Sequence, residues 1–339
     1  MANNKEVMNI LIVRFRQMGD TILATPLIST LRKSFPQARI DLVLNQNIAS
    51  LFAGHPDINR IIEFSNEERH STILYINKVW KTMRSTHYDV IIDMRSTVNT
   101  MLFALMSPRT RYRIGLDKAY CRIIYNHRIP KCRQGESMIS HNLALAKPLE
   151  AIAPLVTERH LSLSITKEDT EAMRKYMEAE GIDFSRPVML VGVTAKLDNK
   201  AWDNQRMTQL LDLLIKNYPQ VQYIFNYAPG VEQEKAFKIY EQLGKPSQVL
   251  FDIKATSMRS LAAMASNISI YFGNEGGARH IVHAMGKPSL VICAPGNSPD
   301  TWIPQDDVPA QGISAATYED ITVEMVWQQL QDFIEKVKV

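Results

Sequence analysis

Cysteine is scarce in this sequence of 339 residues, which holds only Cys121, Cys132 and Cys293. The number is odd and no CxxC pair occurs, which argues against both a disulfide framework and a zinc site. The same scarcity fits a reducing compartment, so we expect a cytoplasmic protein.

Long apolar runs are also missing. No run approaches 18 residues, so we expect no transmembrane helix. The N-terminal stretch MANNKEVMNILIVRF reaches its apolar part late and lacks a small-residue cleavage site, so we interpret it as a first strand and not as a signal peptide. Hydrophobic residues make up 45% and charged residues 22%, which makes dominant disorder unlikely for this chain.

Charge of one sign is in small excess, with a net charge of +4. The excess is too mild to indicate nucleic acid by itself, and no finger, RNP or Gly-x-x-Gly pattern occurs. The cations are concentrated in residues 109–133, which carry a single acid, Asp117. This basic segment predicts either a solvated loop or a docking surface for a polyanion or an anionic membrane. Its cations are Arg109, Arg111, Arg113, Lys118, Arg122, Arg128, Lys131 and Arg133.

Strand and helix signals alternate along the whole chain, which predicts an α/β fold with parallel sheets. Predicted strands cover 8–15, 38–45, 88–94, 188–193, 221–227, 247–253, 267–273 and 289–295. Predicted helices cover about 21–34, 72–86, 139–153, 204–218, 231–243, 257–265 and 320–337, with a polar helix in 162–187 that Thr166 or Asp169 caps and Gly181 ends. We expect two similar doubly wound domains, 1–165 and 166–320, and a C-terminal helix in 321–339 that packs on either domain, including back on the first.

Two such domains that face each other form a cleft, and ligands of open α/β sheets bind at the carboxyl ends of the strands. The strand-to-helix turn in YFGNEGGARHIVHAMGKP (271–288) is the first candidate. Gly276 and Gly277 leave N–H groups free at a helix start, which suits a phosphate or diphosphate. The alternative is a tight turn capped by Glu275. GxGxxG is missing, which makes a nicotinamide-dependent oxidoreductase or an epimerase unlikely.

Two further turns carry charged side chains. Thr194, Lys196 and Lys200 follow a buried strand, where a lysine can neutralise a diphosphate leaving group. The alternative is a pair of surface lysines. Glu232 and Glu234 follow the next strand, where an acid can accept hydrogen bonds from ribose hydroxyls or simply belong to a charged first helical turn.

The turn in RFRQMGDTILATPL (14–27) places an acid, Asp20, where an anion site is expected. Asp20 either caps the next helix, or Thr25 caps it with Pro26 at the first helical position, which leaves Asp20 in a turn. A free carboxylate opposite a diphosphate site can take a proton from an acceptor hydroxyl.

These residues resemble a known family. RFRQMGDTILATPLISTLRKSFPQARIDLV is similar to the opening of the lipopolysaccharide heptosyltransferases, glycosyltransferase family nine, and GNEGGARHIVHAMGKPSLVICAPGN is similar to their second signature. YDVIIDMR, RIG (113–115) and KAW (200–202) match in type and order between them. The resemblance implies a GT-B fold and a metal-independent, inverting transfer of heptose from ADP-heptose to the lipopolysaccharide inner core, with no cofactor.

The resemblance also implies roles for residues. Asp20 matches the general base, and Gly19, Arg111 and Arg113 are expected to bind the acceptor, a lipid A–core oligosaccharide. The C-terminal domain is expected to bind donor phosphate through Lys200, Thr194, Gly276, Gly277, Ala278 and His280, and the nucleotide through Glu232 and Glu275.

The basic segment would dock on the inner face of the inner membrane. One departure is that many members have Asp-Thr-Gly or Asp-Ser-Gly where this chain has Glu275-Gly276-Gly277, which removes a hydroxyl. A different nucleotide sugar, or a two-domain binding protein without chemistry, are the alternatives.

Overall fold

The computed structural model describes residues 8–133 and 135–339. This part of the chain divides into two compact units, the first ending at Ser164 and the second beginning at Ile165. Strands and helices alternate in both units, so the predicted α/β class is confirmed. The predicted domain boundary after residue 165 lies beside this junction.

The first unit contains a six-stranded sheet. Its strands are β1 Asn9–Val13, β2 Arg39–Asn45, β3 Arg60–Phe64, β4 Val90–Asp93, β5 Tyr112–Leu116 and β6 His127–Ile129. They lie in the order β3-β2-β1-β4-β5-β6, and all neighbours are parallel. This is the order of a dinucleotide-binding fold, so the turns after the strands all lie at one edge, the carboxyl edge.

The helices of the first unit cover both faces of this sheet. They are α1 Met18–Ile22, α2 Thr25–Ser34, α3 Gln46–Ala49, α4 Asn66–His70, α5 Thr72–Ser85, α6 Met101–Leu105 and α7 Met138–Ala144. The predicted helix over 21–34 is therefore two helices, broken at Leu23 and Ala24. The predicted cap by Thr25 is wrong, because its hydroxyl donates to the Ile22 carbonyl (2.8 Å) and Ala24 precedes the helix without a side-chain cap.

The basic segment is not the loop that its charge predicts, because it contributes β5 and β6 to the sheet. In β5, Tyr112 and Ile114 point into the unit and alternate with the half-exposed Arg113. This alternation is typical of a strand with one buried face. Because the strand is short and carries cations, it contains no continuous apolar run by which the sequence would predict it.

The second unit repeats this architecture. Its strands are β7 Val188–Gly192, β8 Gln222–Phe225, β9 Ile270–Asn274, β10 Ser289–Ile292 and β11 Ala310–Ile313, in the order β11-β10-β9-β7-β8 and all parallel. Beyond β8 a single parallel bridge joins Tyr223 to Val249. If this bridge segment is counted as the third strand of the unit in chain order, the second sheet has the same strand order as the first.

The strand predicted at 247–253 is thus reduced to one bridge. Phe251 leaves the sheet direction because its ring stacks with those of Tyr227 and Tyr240, with centroids 5.0 and 5.1 Å apart. The Tyr227 hydroxyl also donates to the Phe251 carbonyl (2.9 Å), so the residues after the bridge form aromatic contacts in place of a ladder.

The helices of the second unit are α8 Lys167–Ala179, α9 Asn204–Asn217, α10 Val231–Gln242, α11 Met258–Ser266, α12 Gly277–Ala284, α13 Pro299–Trp302 and α14 Val323–Val337. Thr166 caps α8 by accepting from the Asp169 amide (3.1 Å), and Gly181 follows its end at a positive φ of 101°.

The last helix, α14, packs in the second unit. Its apolar stripe of Val326, Leu330, Phe333 and Ile334 is buried in the core of that unit, next to α9. The sequence left open that this helix packs back on the N-terminal domain. Its burial in the core of the second unit corrects that expectation. No helix in the two described ranges combines the length and the apolarity needed to cross a bilayer.

Candidate active site

The glycine turn of the second unit lies at the carboxyl edge, between β9 and α12. Gly276 is the N-cap of α12 and Gly277 is its first residue. Gly276 is exposed, and a Cβ built on it meets no atom within 4 Å. The amides at the start of α12 are therefore accessible at this edge, where the positive end of the helix dipole favours an anion.

Asn274, which the sequence analysis missed, joins three segments behind this turn. Its side-chain amide donates to the carbonyls of Gly192 and Val193 (both 3.1 Å) and its oxygen accepts from the Trp202 amide (2.7 Å). The residue is buried, so these bonds are shielded from water. The β7 turn and the loop that carries Lys200 are thereby held next to the end of β9. A buried asparagine at the last position of an apolar strand is the signal that could have revealed this role.

Lys200 and Glu275 form an ion pair, with Nζ and Oε1 2.9 Å apart. Glu275 also accepts from the Ala294 amide (3.1 Å) and from the Asn297 side chain (2.9 and 3.1 Å), so it is not a helix cap. Burial raises the pKa of Glu275, but the bonds from Lys200 and Asn297 outweigh burial and leave this pKa below its ordinary value. The ionised carboxylate thus holds the lysine ammonium beside the glycine turn.

Thr194 and Glu232 form a second pair, in which the Thr194 hydroxyl donates to Oε2 of Glu232 (2.9 Å). Glu232 lies in the first turn of α10, after β8, and Thr194 follows β7. A cavity of about 210 Å³ lies beside this pair and is lined by Thr194, Ala195, Asp198, Ala201, Trp202, Asp203, Asn204 and Lys235. Small-molecule pockets are commonly about 300–1,000 Å³, so this cavity has room for part of a nucleotide sugar.

Arg279 and His280 lie buried under the glycine turn. The Arg279 Nη2 donates to the Trp302 carbonyl (2.9 Å), while its Nε and the Nδ1 of His280 have no hydrogen-bond partner among the described residues. Burial lowers the pKa of Arg279, and burial together with the Arg279 charge holds the pKa of His280 well below its ordinary value. His280 is therefore neutral at pH 7, and Arg279 supplies positive potential to the start of α12.

In the first unit, Asp20 lies in the first turn of α1, so it is neither a helix cap nor part of a free turn. Gln17 precedes the helix, and Gly19 is buried beside Asp20. Oδ1 of Asp20 is 3.5 Å from Nη2 of Arg14, and the Asp20 carbonyl accepts from Nε (3.3 Å) and Nη2 (2.9 Å) of the same arginine. Burial lowers the pKa of Arg14 to about 10, while the Asp20 charge acts in the opposite direction.

Arg95 adds positive charge at the same edge. It follows β4, its Nη1 donates to the Phe15 carbonyl (2.7 Å), and burial followed by the charges of Arg16 and Arg69 lowers its pKa. Asp93 fixes the β4 turn by accepting from the amides of Arg95 (2.9 Å) and Ser96 (2.8 Å). The surroundings of Asp20 are thus strongly basic, which attracts anions to this edge.

Arg111 and Arg113 lie elsewhere. In the parallel register Arg113 faces Ile91, and Arg111 precedes β5, so both are at the amino edge of the sheet while Asp20 is at the carboxyl edge. Arg113 donates to the carbonyls of Ile124 (2.9 Å), Pro108 (2.7 Å) and Thr110 (2.8 Å), which makes it a structural clamp. The Arg111 guanidinium stacks 5.3 Å from the Tyr112 ring centroid. The register therefore does not bring these two arginines to Asp20.

Among the described residues, one group of potential metal ligands has ligand atoms within 4.8 Å of one another. It consists of Cys132, Glu136 and His141, at the start of α7. None of the side chains at the glycine turn belongs to it. Beside that turn, the Lys200 ammonium and the backbone amides are groups that can act on a diphosphate.

Two glycine substitutions separate folding from ligand approach at the turn. Gly273 has a positive φ of 152°, and a Cβ built on it lies 2.5 Å from the Gly192 backbone. Gly273→Ala is expected to lower the free energy of unfolding by about 1–3 kcal/mol or more, because β9 must move away from β7. Gly276→Ala is expected to leave the melting temperature unchanged and to weaken binding of a nucleoside diphosphate, because the methyl group occupies the approach to the amides. Equal effects of both variants on both measurements would contradict this division.

The buried His280 predicts a pH dependence of stability. Its pKa is lower in the folded state than the ordinary value of about 6.5, so the unfolded state binds more protons. Stability is then greatest above about pH 6.5 and falls as the pH decreases. Thermal melts between about pH 7 and pH 5 should show a smaller decrease for His280→Gln than for the wild type. His87→Gln, at an exposed position of the first unit, is the control for the substitution itself.

Residues 76–319, which span parts of both units, match the family described as Glycosyltransferase family 9 (heptosyltransferase). The match covers more than half of the sequence, and the chain belongs to this family. A lipopolysaccharide heptosyltransferase 3 of Escherichia coli is 23% identical over 282 residues, which cover 81% of this chain and 80% of the relative.

Two solved structures share the fold. The glycosyl transferase family 9 protein from Veillonella parvula superimposes with a TM-score of 0.83 at 16% identity, covering 97% of each chain. The ADP-heptose lipopolysaccharide heptosyltransferase II of E. coli does so with a TM-score of 0.74 at 18% identity, covering 98% of this chain and 100% of that one. The predicted GT-B class is confirmed in its two Rossmann-like units, and the chain is a glycosyltransferase.

Proposed function

We propose that this enzyme transfers heptose from ADP-heptose to the inner core of lipopolysaccharide. The observation that carries the proposal is the Lys200–Glu275 pair beside the open amides of Gly276 and Gly277. Family membership and the lipopolysaccharide heptosyltransferases among its relatives support the sugar and the acceptor class.

The donor diphosphate binds at the start of α12. The amides of Gly276, Gly277 and Ala278 donate to its oxygens, and the Lys200 ammonium, held by Glu275, supplies positive charge. Arg279, buried beneath, compensates for the hydroxyl that Gly276 lacks in comparison with the usual Thr or Ser. Glu232, oriented by Thr194, accepts from the ribose hydroxyls, and the adjoining cavity takes part of the nucleoside.

The transfer is a single displacement. The acceptor hydroxyl gives its proton to the Asp20 carboxylate, its oxygen forms a bond to the anomeric carbon, and the bond from that carbon to the diphosphate breaks. The leaving ADP takes the electron pair, and Lys200 and the helix amides stabilise its charge. One displacement at one face inverts the anomeric configuration, and none of these steps uses a metal ion.

The acceptor reaches Asp20 across the carboxyl edge of the first unit. The cations that surround this edge, Arg14, Arg16, Arg69 and Arg95, match a phosphorylated and acidic core oligosaccharide better than Arg111 and Arg113 at the amino edge. Since the acceptor is lipid-linked, we place the enzyme in the cytoplasm, on the inner face of the inner membrane.

A second candidate is the use of a different nucleotide sugar. Glu275 reaches one methylene further than the aspartate common in the family, and three groups already bond to it. A sugar whose hydroxyls fit this longer acid would be preferred over heptose.

The test has two parts. Thermal shift with ADP, UDP, GDP and NAD should show stabilisation by ADP, because a ligand that binds only the native state raises stability. Purified enzyme, ADP-heptose and a heptose-deficient core oligosaccharide should then give a product one heptose heavier by mass spectrometry. Stabilisation by UDP or GDP alone would favour the second candidate, and no transfer from any nucleotide sugar would contradict both.

A further inference from the structure

Helix α5 of the first unit has two apolar faces. Tyr75, Val79 and Met83 are buried in the core cluster of that unit. On the outer side Ile73, Ile76 and Trp80 are 79%, 41% and 49% exposed. Their spacing of three and four residues aligns them in one stripe along the helix, which a helix with only a structural role does not need.

All the charges of α5 are positive. Lys78, Lys81 and Arg84 are its only charged side chains, and its sequence, TILYINKVWKTMRS, contains no Asp or Glu. Lys78 is paired with Glu68 of α4 (2.6 Å), while Lys81 and Arg84 are exposed. The Arg84 guanidinium lies 5.5 Å from the centroid of the Trp80 ring, so the outer stripe ends in a tryptophan covered by a cation.

Neighbouring elements extend this surface. Helix α6 packs against α5, and the segment from Ser96 to Pro108 that contains α6 has no charged residue. Leu105 of α6 is 55% exposed, and Ile123, in a turn whose Cys121 and Tyr125 join the same core cluster, is 98% exposed. We name the outer side of these three elements the α5–α6 face.

We propose that the α5–α6 face docks on an anionic lipid bilayer, with Trp80 and the two isoleucines of the stripe at the boundary between headgroups and acyl chains. An amphipathic surface with aromatic and aliphatic residues between cations is suited to this interface, where Lys and Arg contact lipid phosphates. The outward charges of α5, Lys81 and Arg84, are complementary to such a bilayer. A second copy of the chain would bring the same cations together, so like-charge repulsion disfavours it.

The position of the face agrees with a lipid-linked substrate, and in this respect the inference rests on the proposed function. The turn that carries Ile123 begins at the carboxyl edge, where the Lys118 ammonium donates to the Arg95 carbonyl (2.7 Å) and the Tyr120 hydroxyl to the Ser96 carbonyl (2.7 Å). The charge of Asp20 also acts electrostatically on Arg95. A bilayer on this face would therefore lie next to the edge at which the base acts.

Most of this surface lies outside the basic segment, which contributes to it only the turn with Ile123. Within that segment Arg113 is bound to backbone carbonyls, and Arg122 and Arg128 both approach Asp117 (3.8 and 3.7 Å). The apolar stripe of α5 lies outside the segment, so the docking energy is expected to come mainly from burial of apolar side chains, with the cations selecting anionic lipids.

The wild-type enzyme tests the proposal by sedimentation with vesicles of phosphatidylethanolamine and phosphatidylglycerol, compared with phosphatidylcholine alone. Binding to the anionic vesicles should shift tryptophan emission to shorter wavelength and allow quenching by brominated acyl chains. Because the chain holds four tryptophans, the part due to Trp80 is the difference between the wild type and Ile73→Ser/Trp80→Ser. Ile73→Ser/Trp80→Ser should weaken vesicle binding by about tenfold or more. Val156→Ser, an exposed apolar residue elsewhere in the first unit, is the control and should bind as the wild type does.

Three outcomes would overturn the proposal: no binding by the wild type, equal binding by the double variant, or light scattering that shows a dimer lost in the double variant. The transfer reaction distinguishes a failure of this proposal from a failure of the proposed function. The double variant should keep wild-type turnover on a water-soluble, delipidated core and lose it on vesicle-embedded acceptor. If the wild type binds vesicles but transfers heptose to neither acceptor, docking stands and the proposed function falls.

Discussion

Asp20→Asn is expected to lower kcat by about 10²–10⁴-fold while leaving the affinity for the nucleotide sugar unchanged. The substitution removes the proton acceptor but keeps the size of the side chain. Arg14 stays hydrogen-bonded in the variant, because its guanidinium also donates to the carbonyls of Asp20 (2.9 Å) and Met94 (3.4 Å). The unit should therefore fold with nearly the wild-type melting temperature.

Single-turnover kinetics at saturating donor measures this effect. Glu150→Gln, an exposed acid in the same unit, is the control and should leave kcat unchanged. Near-normal turnover of Asp20→Asn would remove Asp20 from the mechanism. A loss of donor affinity along with kcat would instead indicate a general disturbance of the protein.

Lys200→Ala should lower kcat/KM for the donor by about 10²–10³-fold, since a positive charge that meets the leaving diphosphate acts most strongly as the bond breaks. The same substitution leaves the largely buried Glu275 carboxylate without its cation, so the melting temperature should also fall. The double variant Lys200→Ala/Glu275→Gln should regain stability, because Asn297 and the Ala294 amide still bond to the glutamine. It should not regain transfer.

Lys196→Ala separates this role from general surface charge. Lys196 lies in the same turn and is exposed, and the family resemblance assigns the donor phosphate to Lys200 and not to Lys196. We expect wild-type donor affinity for Lys196→Ala in a titration with ADP. A similar loss for both lysines would mean that the turn acts through its overall charge and not through the position beside Glu275.

The fold could be predicted from the sequence where strands are apolar on both faces. β1, β4, β7 and β9 read as continuous apolar runs because helices cover both sides of a parallel sheet. β5 and β6 could not, because they lie near the sheet edge and carry cations that their position leaves half exposed. The bridge at Val249 was overestimated as a strand, since propensity does not register the aromatic stacking that turns Phe251 away.

The candidate site was predicted in its residues more than in its connections. Motif spacing pointed to Lys200, Glu232 and the glycine turn because each follows a buried strand. It gave no indication that Glu275 holds Lys200 or that Asn274 joins the loops, since these contacts link residues some 70–80 positions apart. Charge and nearness to the RIG motif pointed to Arg111 and Arg113, and the strand register separates them from Asp20.

The indole of Trp202 donates to the carbonyl of Ile321 (3.0 Å), and Arg206 donates to the same carbonyl (3.2 Å). Ile321 precedes Thr322, the N-cap of α14, so the loop that carries Lys200 is hydrogen-bonded to the segment at the start of the last helix. Shortening the chain from its C-terminal end would therefore act at a distance on the leaving-group lysine. If Lys200 acts on the leaving group as proposed, catalytic activity is therefore expected to depend on the presence of α14.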